Sequence, residues 1–191
     1  AEVTGYVHGV LESIVSNHNV TVDVVYWDKR NLNSSQYKIA DSSLIRYHGR
    51  TETDRQQVLD MLFARKPNII VVSGWMDKGY LWACRRYKKQ FPEVKIVAGI
   101  DDLWTGSMRQ RLGQVYYRIF YRKLFDFMWV AGKPQYSFAS RFGYGIESII
   151  SNVYSADNSL FNTRSCVCKR FVFVGRFVAI KALDILVDAY S

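Results

Sequence analysis

Two cationic side chains near the C-terminal end of the sequence have the spacing of a phosphate-binding turn. Arg176 follows Gly175, and Lys181 comes five residues later, where an apolar strand pattern gives way to an apolar helix pattern. A glycine lets the backbone turn tightly after a strand, and two cations beside the free amides of a helix N-terminus can bind a diphosphate. An ordinary strand–helix turn with solvated cations has the same pattern, so both interpretations stay open at this point.

The elements that must position these residues alternate along the whole chain. Apolar residues at steps of three and four predict helices, and β-branched or continuous apolar runs predict strands. Either Thr51 or Thr53 is the expected N-cap of the second helix. Helices are predicted at residues 3–15, 53–65, 77–91, 107–125, 133–143 and 183–191, and strands at 20–28, 43–49, 68–74, 94–100, 126–132, 146–152 and 171–175.

Alternating helices and strands predict an α/β fold with a Rossmann-like, doubly wound and mainly parallel sheet. The continuous run 68–74 is typical of a strand that is covered on both faces. Ligands of such sheets bind beyond the carboxyl ends of the strands, here in the loops after residues 74, 100, 131 and 152. We therefore expect a cleft lined by Gly74, Trp75, Asp101 and Asp102, within the loops 74–78 and 101–105, with the loop after Gly132 as a weaker candidate.

The positive charge is concentrated in one part of the chain. The net charge is +9, and residues 84–145 alone contain 12 basic and 4 acidic side chains. Such a local field favours an anionic partner, which can be a phosphorylated ligand, a lipid surface or nucleic acid.

The predicted helix 107–125 combines cations with aromatic residues. It is either a surface helix whose aromatic residues pack on the sheet, or a contact with an anionic membrane. Single-stranded nucleic acid also suits alternating aromatic residues and cations, but the chain has no recognisable nucleic-acid motif, so we expect no nucleic-acid partner. The predicted membrane or anion patch consists of Arg109, Arg111, Arg118, Arg122 and Lys123.

Cysteine and histidine spacing predicts no metal site. The three cysteines are Cys84, Cys166 and Cys168, an odd number without the spacing of a zinc knuckle or a redox pair, which favours free thiols in a reducing cytosol. The three histidines are scattered along the chain. No apolar run reaches the roughly 18 residues that a membrane-spanning helix needs.

The stretch 173–181 resembles the start of the second domain in glycosyltransferase family 4, the retaining sugar transferases with the GT-B fold. The family pattern there is roughly F-V-G-R-hydrophobic-x-x-x-K-G, followed by an apolar helix, and the residues that match it are Phe173, Val174, Gly175, Arg176 and Lys181. Ala182 stands where the family prefers glycine. The resemblance implies that Gly175, Arg176 and Lys181 bind the diphosphate of a nucleotide sugar, the donor substrate, with no metal or other cofactor.

Three other segments are similar to the family in the same order. Asp157 and Phe161 match the segment that precedes the second domain, although its Asn-Gly pair is absent. Asp102 matches the aspartate of a His-Asp pair, and Asp101 stands in place of the histidine that contacts the donor sugar, so Asp101 is the candidate catalytic residue in this chain. Residues 1–13 resemble the segment after the family's glycine-rich first loop, so we expect the first strand and that loop to precede residue 1.

The resemblance implies three segments. Residues 1–161 would be an acceptor-side Rossmann-like domain, 162–170 a linker, and 171–191 the beginning of a donor-binding domain. The family's two site glutamates lie eight positions apart, and none of the five glutamates here has that spacing. We therefore expect the catalytic glutamates to lie beyond residue 191 and the 191-residue chain alone to be inactive.

The complete protein is expected to transfer a sugar, with retention, from a nucleotide-diphosphate sugar to a saccharide or lipid-linked acceptor. This places it in polysaccharide or glycolipid biosynthesis, in the cytoplasm and peripherally at the inner membrane face. The alternative is a non-catalytic α/β module that binds a phosphorylated metabolite or an anionic membrane surface. A redox Rossmann enzyme is disfavoured because no G-x-G-x-x-G follows a predicted strand.

Overall fold

The structure, a computed structural model, describes residue 3 and residues 5–28, 42–152 and 181–190. The chain divides into two compact units, Ala1–Asp157 and Asn158–Ser191. The expected linker 162–170 and the expected strand at 171–175 lie outside the described residues, so the domain limits drawn from the sequence stay a prediction.

The described elements follow the alternating order that the sequence predicts. The helices are α1 (Gly5–Asn17), α2 (Arg55–Arg65), α3 (Lys78–Gln90), α4 (Met108–Phe120), α5 (Lys133–Arg141) and α6 (Leu183–Tyr190). The strands are β1 (Val22–Tyr26), β2 (Ile45–Gly49), β3 (Ile69–Ser73), β4 (Lys95–Ile100), β5 (Phe127–Val130) and β6 (Ile149–Ile150).

All described strands pair in parallel, which confirms the α/β class and the parallel pairing. They form two sheets among the described residues, however, rather than one. Strands β1 and β2 pair with each other, and the second sheet has the order β3-β4-β5-β6. Strand order in the second sheet therefore follows chain order.

One face of the four-stranded sheet carries the main core. The side chains that alternate onto this face, among them Ile96, Ala98 and Met128, belong to the same buried cluster as residues of α3, α4 and α5. On the opposite face, Ile69 and Val71 of β3 are 62% and 55% exposed. The expectation that this strand is covered on both faces was therefore wrong, because the three connecting helices all pack on one side.

Three local predictions differ from the structure. The helix expected at 107–125 ends at Phe120, and the chain then turns with the amide of Leu124 donating to the carbonyl of Tyr121 at 2.9 Å. The strand expected at 146–152 begins as a single-turn 3₁₀ helix, Ile146–Ser148, and only two residues of it are strand. The third difference concerns the start of α2.

The N-cap of α2 is Asp54 rather than either threonine. Its carboxylate accepts hydrogen bonds from the amides of Gln56 and Gln57 at 2.7 and 2.8 Å, and the Gln57 side chain accepts from the Asp54 amide at 2.7 Å. This reciprocal pair is a capping box. The Thr53 hydroxyl instead donates to the carbonyl of Gly49 at 2.7 Å.

Candidate functional site

The loops that follow β3, β4 and β5 meet at one edge of the four-stranded sheet, because parallel strands bring their carboxyl ends together. The first of these loops turns at Gly74, whose φ of +71° lies in the left-handed region. A Cβ built there would lie 3.8 Å from the carbonyl oxygen of Gly99, an ordinary contact. Backbone conformation rather than space therefore favours glycine at this turn.

Trp75 anchors the first loop to the core. Its ring packs edge-on against Tyr117 and Phe142, with centroid distances of 4.9 and 5.0 Å. The side chain is half-buried as a result. Its lining of a cleft stays a prediction, and the geometry gives it a packing role at the base of the loop.

Asp101 and Asp102 follow β4, and both are exposed. The carbonyl of Asp101 accepts a hydrogen bond from the Gln135 side-chain amide at 3.1 Å, which ties the loop to α5. The two neighbouring carboxylates are thus held at the carboxyl edge by the backbone. Carboxylates at such a place can accept hydrogen bonds from the hydroxyl groups of a ligand.

Gln110 organises the loop between these aspartates and α4. Its side-chain oxygen accepts from the amide of Thr105 at 2.7 Å and from that of Gly106 at 3.1 Å, and its side-chain nitrogen donates to the carbonyl of Leu103 at 2.7 Å. Arg111 adds a hydrogen bond from Nε to the carbonyl of Gly106 at 3.0 Å. Sequence reasoning missed Gln110, and only its position in the first turn of a predicted helix offered a signal.

Trp104 fixes the middle of the same loop. Its ring lies 5.4 Å from that of Phe138, and the Arg141 guanidinium lies 4.8 Å from the Trp104 ring centroid. Both partners, Phe138 and Arg141, belong to α5. The loop is therefore held by α5 on one side and by α4 on the other.

The loop after β5 begins α5 at the carboxyl edge. Gly132 is the N-cap, and no side chain caps this end, while Pro134 lies in the first turn. Lys133, the first residue of the helix, is exposed. Lys78, the first residue of α3, is exposed at the same edge. The edge therefore presents two lysines at helix starts together with two carboxylates.

A second cluster, which sequence reasoning missed, links the carboxyl end of β2 to the start of α3. The Arg50 Nε donates to the Asp77 carboxylate at 3.1 Å, and the guanidinium lies 5.2 Å from the Tyr80 ring centroid. Asp77 also caps α3 by accepting from the amides of Gly79 and Tyr80 at 2.8 and 3.1 Å. Asp77 before a predicted helix was a capping signal, whereas nothing in the sequence marked Arg50.

The electrostatics of this cluster favour the ion pair. Burial acts to raise the pKa of Asp77, but hydrogen bonds from Arg50 and from the Tyr80 and Gly79 amides outweigh it, so the pKa lies below the ordinary value. Pairing with Asp77 in turn raises the pKa of Arg50. Burial, with a smaller contribution from Asp77, raises the pKa of Tyr80 to about 12. The cluster is thus a structural clasp between two loops. Its arginine, Arg50, already forms an ion pair with Asp77.

The residues expected to bind a diphosphate are only partly described. Gly175 and Arg176 lie outside the described residues. Lys181 is exposed and lies two residues before the start of α6. Ala182, at the position where the resemblance expects glycine, has a φ of +48°.

The five cations of the predicted patch differ in their surroundings. Arg122 is half-buried, with Nε donating to the carbonyl of Gly143 at 3.0 Å and its guanidinium 4.1 Å from the Tyr144 ring centroid. Arg122 and Lys123 lie beyond the end of α4. The exposed members are Arg109, Arg111, Arg118 and Lys123.

The described part of the chain contains no group of three or more histidine, cysteine or acidic side chains that could hold a metal ion. Two histidines have other partners: His8 Nδ1 lies 2.6 Å from the Tyr47 hydroxyl, and His48 Nε2 lies 3.0 Å from the Asp23 carboxylate. Cys84 is a buried free thiol, and burial raises its pKa to about 12. A thiol in that state is a poor nucleophile.

No protein-family model, curated protein or solved structure matches this chain.

Proposed function

We propose that this chain belongs to a retaining glycosyltransferase with the GT-B fold, similar to glycosyltransferase family 4. In this proposal, residues 1–161 form the acceptor-side domain and residues 171–191 begin the domain that binds a nucleotide-diphosphate sugar. The acceptor is a saccharide or a lipid-linked saccharide. Arg176 and Lys181 neutralise the diphosphate that leaves as the sugar is transferred.

The observation that carries this proposal is the backbone around Lys181. The lysine lies two residues before a helix N-terminus, the kind of place that favours bound phosphate groups. Ala182 then has a left-handed backbone, with a φ of +48°, a conformation that glycine adopts without strain and other residues adopt rarely. The family pattern has glycine at this position, and the left-handed backbone of Ala182 is the conformation that favours glycine. The backbone therefore supports the resemblance at this residue.

The first unit supports the same proposal. Its parallel strands collect Asp101 and Asp102 at the carboxyl edge of the sheet, where ligands of such folds bind. In the proposed enzyme these carboxylates contact hydroxyl groups of a sugar. The reaction needs positive charge where negative charge develops on the leaving diphosphate, and in the proposed enzyme the Arg176 and Lys181 side chains supply it.

A thermal-shift screen of the intact protein against UDP-, GDP- and ADP-sugars tests the proposal. A ligand present at 100 times its Kd stabilises the folded state by about 2.7 kcal/mol, which gives a readable rise in Tm. The matching nucleoside diphosphate should raise Tm, and the monophosphate should raise it much less. Arg176→Ala and Lys181→Ala should each remove most of the shift.

Lys89→Ala is the matched control, because Lys89 is also an exposed lysine near a helix end, in the last turn of α3. It should leave the shift intact. Equal shifts with mono- and diphosphates, or a shift that survives both substitutions, would contradict the assignment. In the complete enzyme, loss of either cation should also lower the rate about 10²-fold, as expected for a lost transition-state contact.

A further inference from the structure

Helix α4 exposes its apolar residues instead of burying them. Six large apolar side chains on this helix are between 49% and 71% exposed. Together they form a surface that we call the apolar stripe: Met108, Leu112, Val115, Tyr116, Ile119 and Phe120. No described residue covers the stripe.

The spacing of the stripe makes it continuous. At 100° per residue, these six positions fall on one side of the helix, and Tyr117 falls on the other. Tyr117 is fully buried, and it joins α4 to the core. A surface helix of a globular protein normally turns its polar face to water. In α4 that arrangement is reversed, and exposed apolar patches of this kind mark interaction sites.

Cations border the stripe on both sides. On the same helical projection, Arg109 lies near one edge of the stripe, between Tyr116 and Phe120, and Arg111 and Arg118 lie beyond the opposite edge. Lys123 follows just beyond the helix. The segment 107–125 contains no acidic residue, and the next acidic residue, Asp126, is paired with Lys88 at 2.7 Å. The surface is therefore apolar along its centre and positive at its margins.

This combination of apolar centre and positive margins decides between the possible occupants. A second copy of the chain would bring the same cations together across the interface, which is unfavourable. A nucleic acid would satisfy the cations and could stack on aromatic rings, but it offers nothing to the four aliphatic side chains. An anionic bilayer accepts both features, because aliphatic side chains enter the boundary of the acyl region while arginines contact the headgroup phosphates.

We propose that α4 is a peripheral docking site for an anionic lipid surface. The helix lies in the plane of the interface with the apolar stripe inserted and the bordering cations among the headgroups. None of the helices in the described residues is long and apolar enough to span a bilayer. This proposal does not depend on sugar transfer.

Co-sedimentation of the intact protein with vesicles tests it. The probes are vesicles of pure phosphatidylcholine and vesicles of equimolar phosphatidylcholine and phosphatidylglycerol. Binding should be strong to the anionic vesicles, weak to the neutral ones, and reduced by added salt because surface charges are screened. A cation near an anionic surface contributes about 1 kcal/mol, or about fivefold in partitioning.

Two double variants separate the two parts of the site. Arg109→Gln with Arg118→Gln should lower binding to anionic vesicles about 25-fold, the product of two fivefold effects. Leu112→Gln with Ile119→Gln should lower it at least 10-fold while the charge is unchanged, because two inserted aliphatic side chains are lost. All four residues are exposed, and Arg111 is left intact because it holds the loop at Gly106.

Matched controls lie elsewhere on the chain. Ile146→Gln and Ile185→Gln remove apolar side chains that are 70% and 66% exposed outside the stripe. Lys66→Gln removes an exposed cation that follows α2. Each should bind anionic vesicles like the original chain. Circular dichroism and Tm should confirm that every variant folds.

Three outcomes would overturn the proposal. One is equal binding to neutral and anionic vesicles, or none to either. Another is vesicle binding that the Leu112 and Ile119 substitutions leave unchanged. The third is a dimer, or a complex with a single-stranded oligonucleotide, that is lost in the Leu112/Ile119 variant while no vesicle binding is seen.

Discussion

At the scale of single residues, a pair of buried hydroxyls offers a direct test of the core. The Tyr117 and Tyr144 hydroxyls are 2.8 Å apart, and the Tyr144 hydroxyl also donates to the carbonyl of Phe125 at 3.2 Å. The only other contact of the Tyr117 hydroxyl in the described structure is the Met128 sulfur at 3.5 Å. Burial raises the pKa of both tyrosines, so neither hydroxyl ionises near neutral pH.

We expect the two phenylalanine substitutions to differ in cost. Tyr117→Phe leaves Tyr144 bonded to a carbonyl and should lower the free energy of unfolding by about 1 kcal/mol. Tyr144→Phe leaves the Tyr117 hydroxyl with only the weak acceptor at the Met128 sulfur and removes the donor to the Phe125 carbonyl, so it should cost about 2 kcal/mol. Urea unfolding followed by circular dichroism measures both. Equal costs, or a larger cost for Tyr117→Phe, would contradict this pattern of hydrogen bonds.

The Arg50–Asp77 clasp predicts a dependence of stability on pH. The folded-state pKa of Asp77 lies below the ordinary value of 3.8. A depressed carboxylate pKa stabilises the folded state fully above the unfolded-state value, and this contribution is lost as the pH falls through the folded-state value. Asp77→Asn removes the charge but keeps a capping side chain. The stability difference between the two chains should therefore be constant above about pH 5 and should shrink below about pH 4.

Urea unfolding at several pH values from about 7 down to about 3 measures this difference. Glu52→Gln is the control, because Glu52 is exposed and has no ion pair within the described residues. Its stability difference should stay small across the same range. If the difference for Asp77→Asn grows as the pH falls, the sign is wrong and the carboxylate is not stabilised by its surroundings.

At the scale of elements, α2 ends in a backbone conformation that is unfavourable for the residue found there. Lys66 is the C-cap and has φ 48° and ψ 56°, in the left-handed region, while its amide donates to the carbonyl of Leu62. Non-glycine residues adopt this conformation at a cost of roughly 1 kcal/mol. Lys66→Gly should therefore raise the free energy of unfolding by about 0.5–1 kcal/mol.

The matched substitution is Lys89→Gly, which places glycine inside the last turn of α3. There the backbone is helical, and the change should cost about 1 kcal/mol. Thermal unfolding of the two variants should shift Tm in opposite directions. Shifts of the same sign would mean that the left-handed backbone at Lys66 is not strained.

The elements also show where periodicity stops being informative. The predicted helix 107–125 was too long because Tyr121, Leu124 and Phe125 continue the apolar pattern after the helix has ended. These three residues lie in the turn after the helix, and their side chains are buried there. An apolar pattern indicates which residues are buried, but it does not indicate where the backbone stops being helical. The same pattern did not say which side of α4 faces the core. Tyr117 alone is buried among the helix residues, and its burial depends on distant partners: Phe142 and Tyr144, which follow α5, and Met128 of β5.

At the scale of the whole molecule, the sequence predicted the class of fold but not the assembly of its strands. Alternation of elements is a local property, and it correctly indicated parallel α/β structure. Pairing depends on residues far apart in the chain, so the division into two sheets and the exposed face of β3 were not foreseen. The same difference between local sequence patterns and long-range contacts applies to the candidate site. Asp101 and Asp102 were found because they follow a strand, whereas Arg50 meets Asp77 only through contacts between distant loops.

The two compact units should also differ in their capacity to fold. Among the residues that the structure describes, the buried cluster runs from Val58 to Tyr144, within Ala1–Asp157. The second unit, Asn158–Ser191, is shorter than the roughly 40 residues below which a domain seldom folds without disulfides, metals or a partner. Within it, α6 exposes Ile185, Leu186 and Val187.

A chain that ends at Asp157 should therefore keep a cooperative urea transition, and a peptide of residues 158–191 should show none. Circular dichroism of both measures this, and a cooperative transition in the peptide, or its loss from the longer chain, would show that the buried cluster does not determine stability.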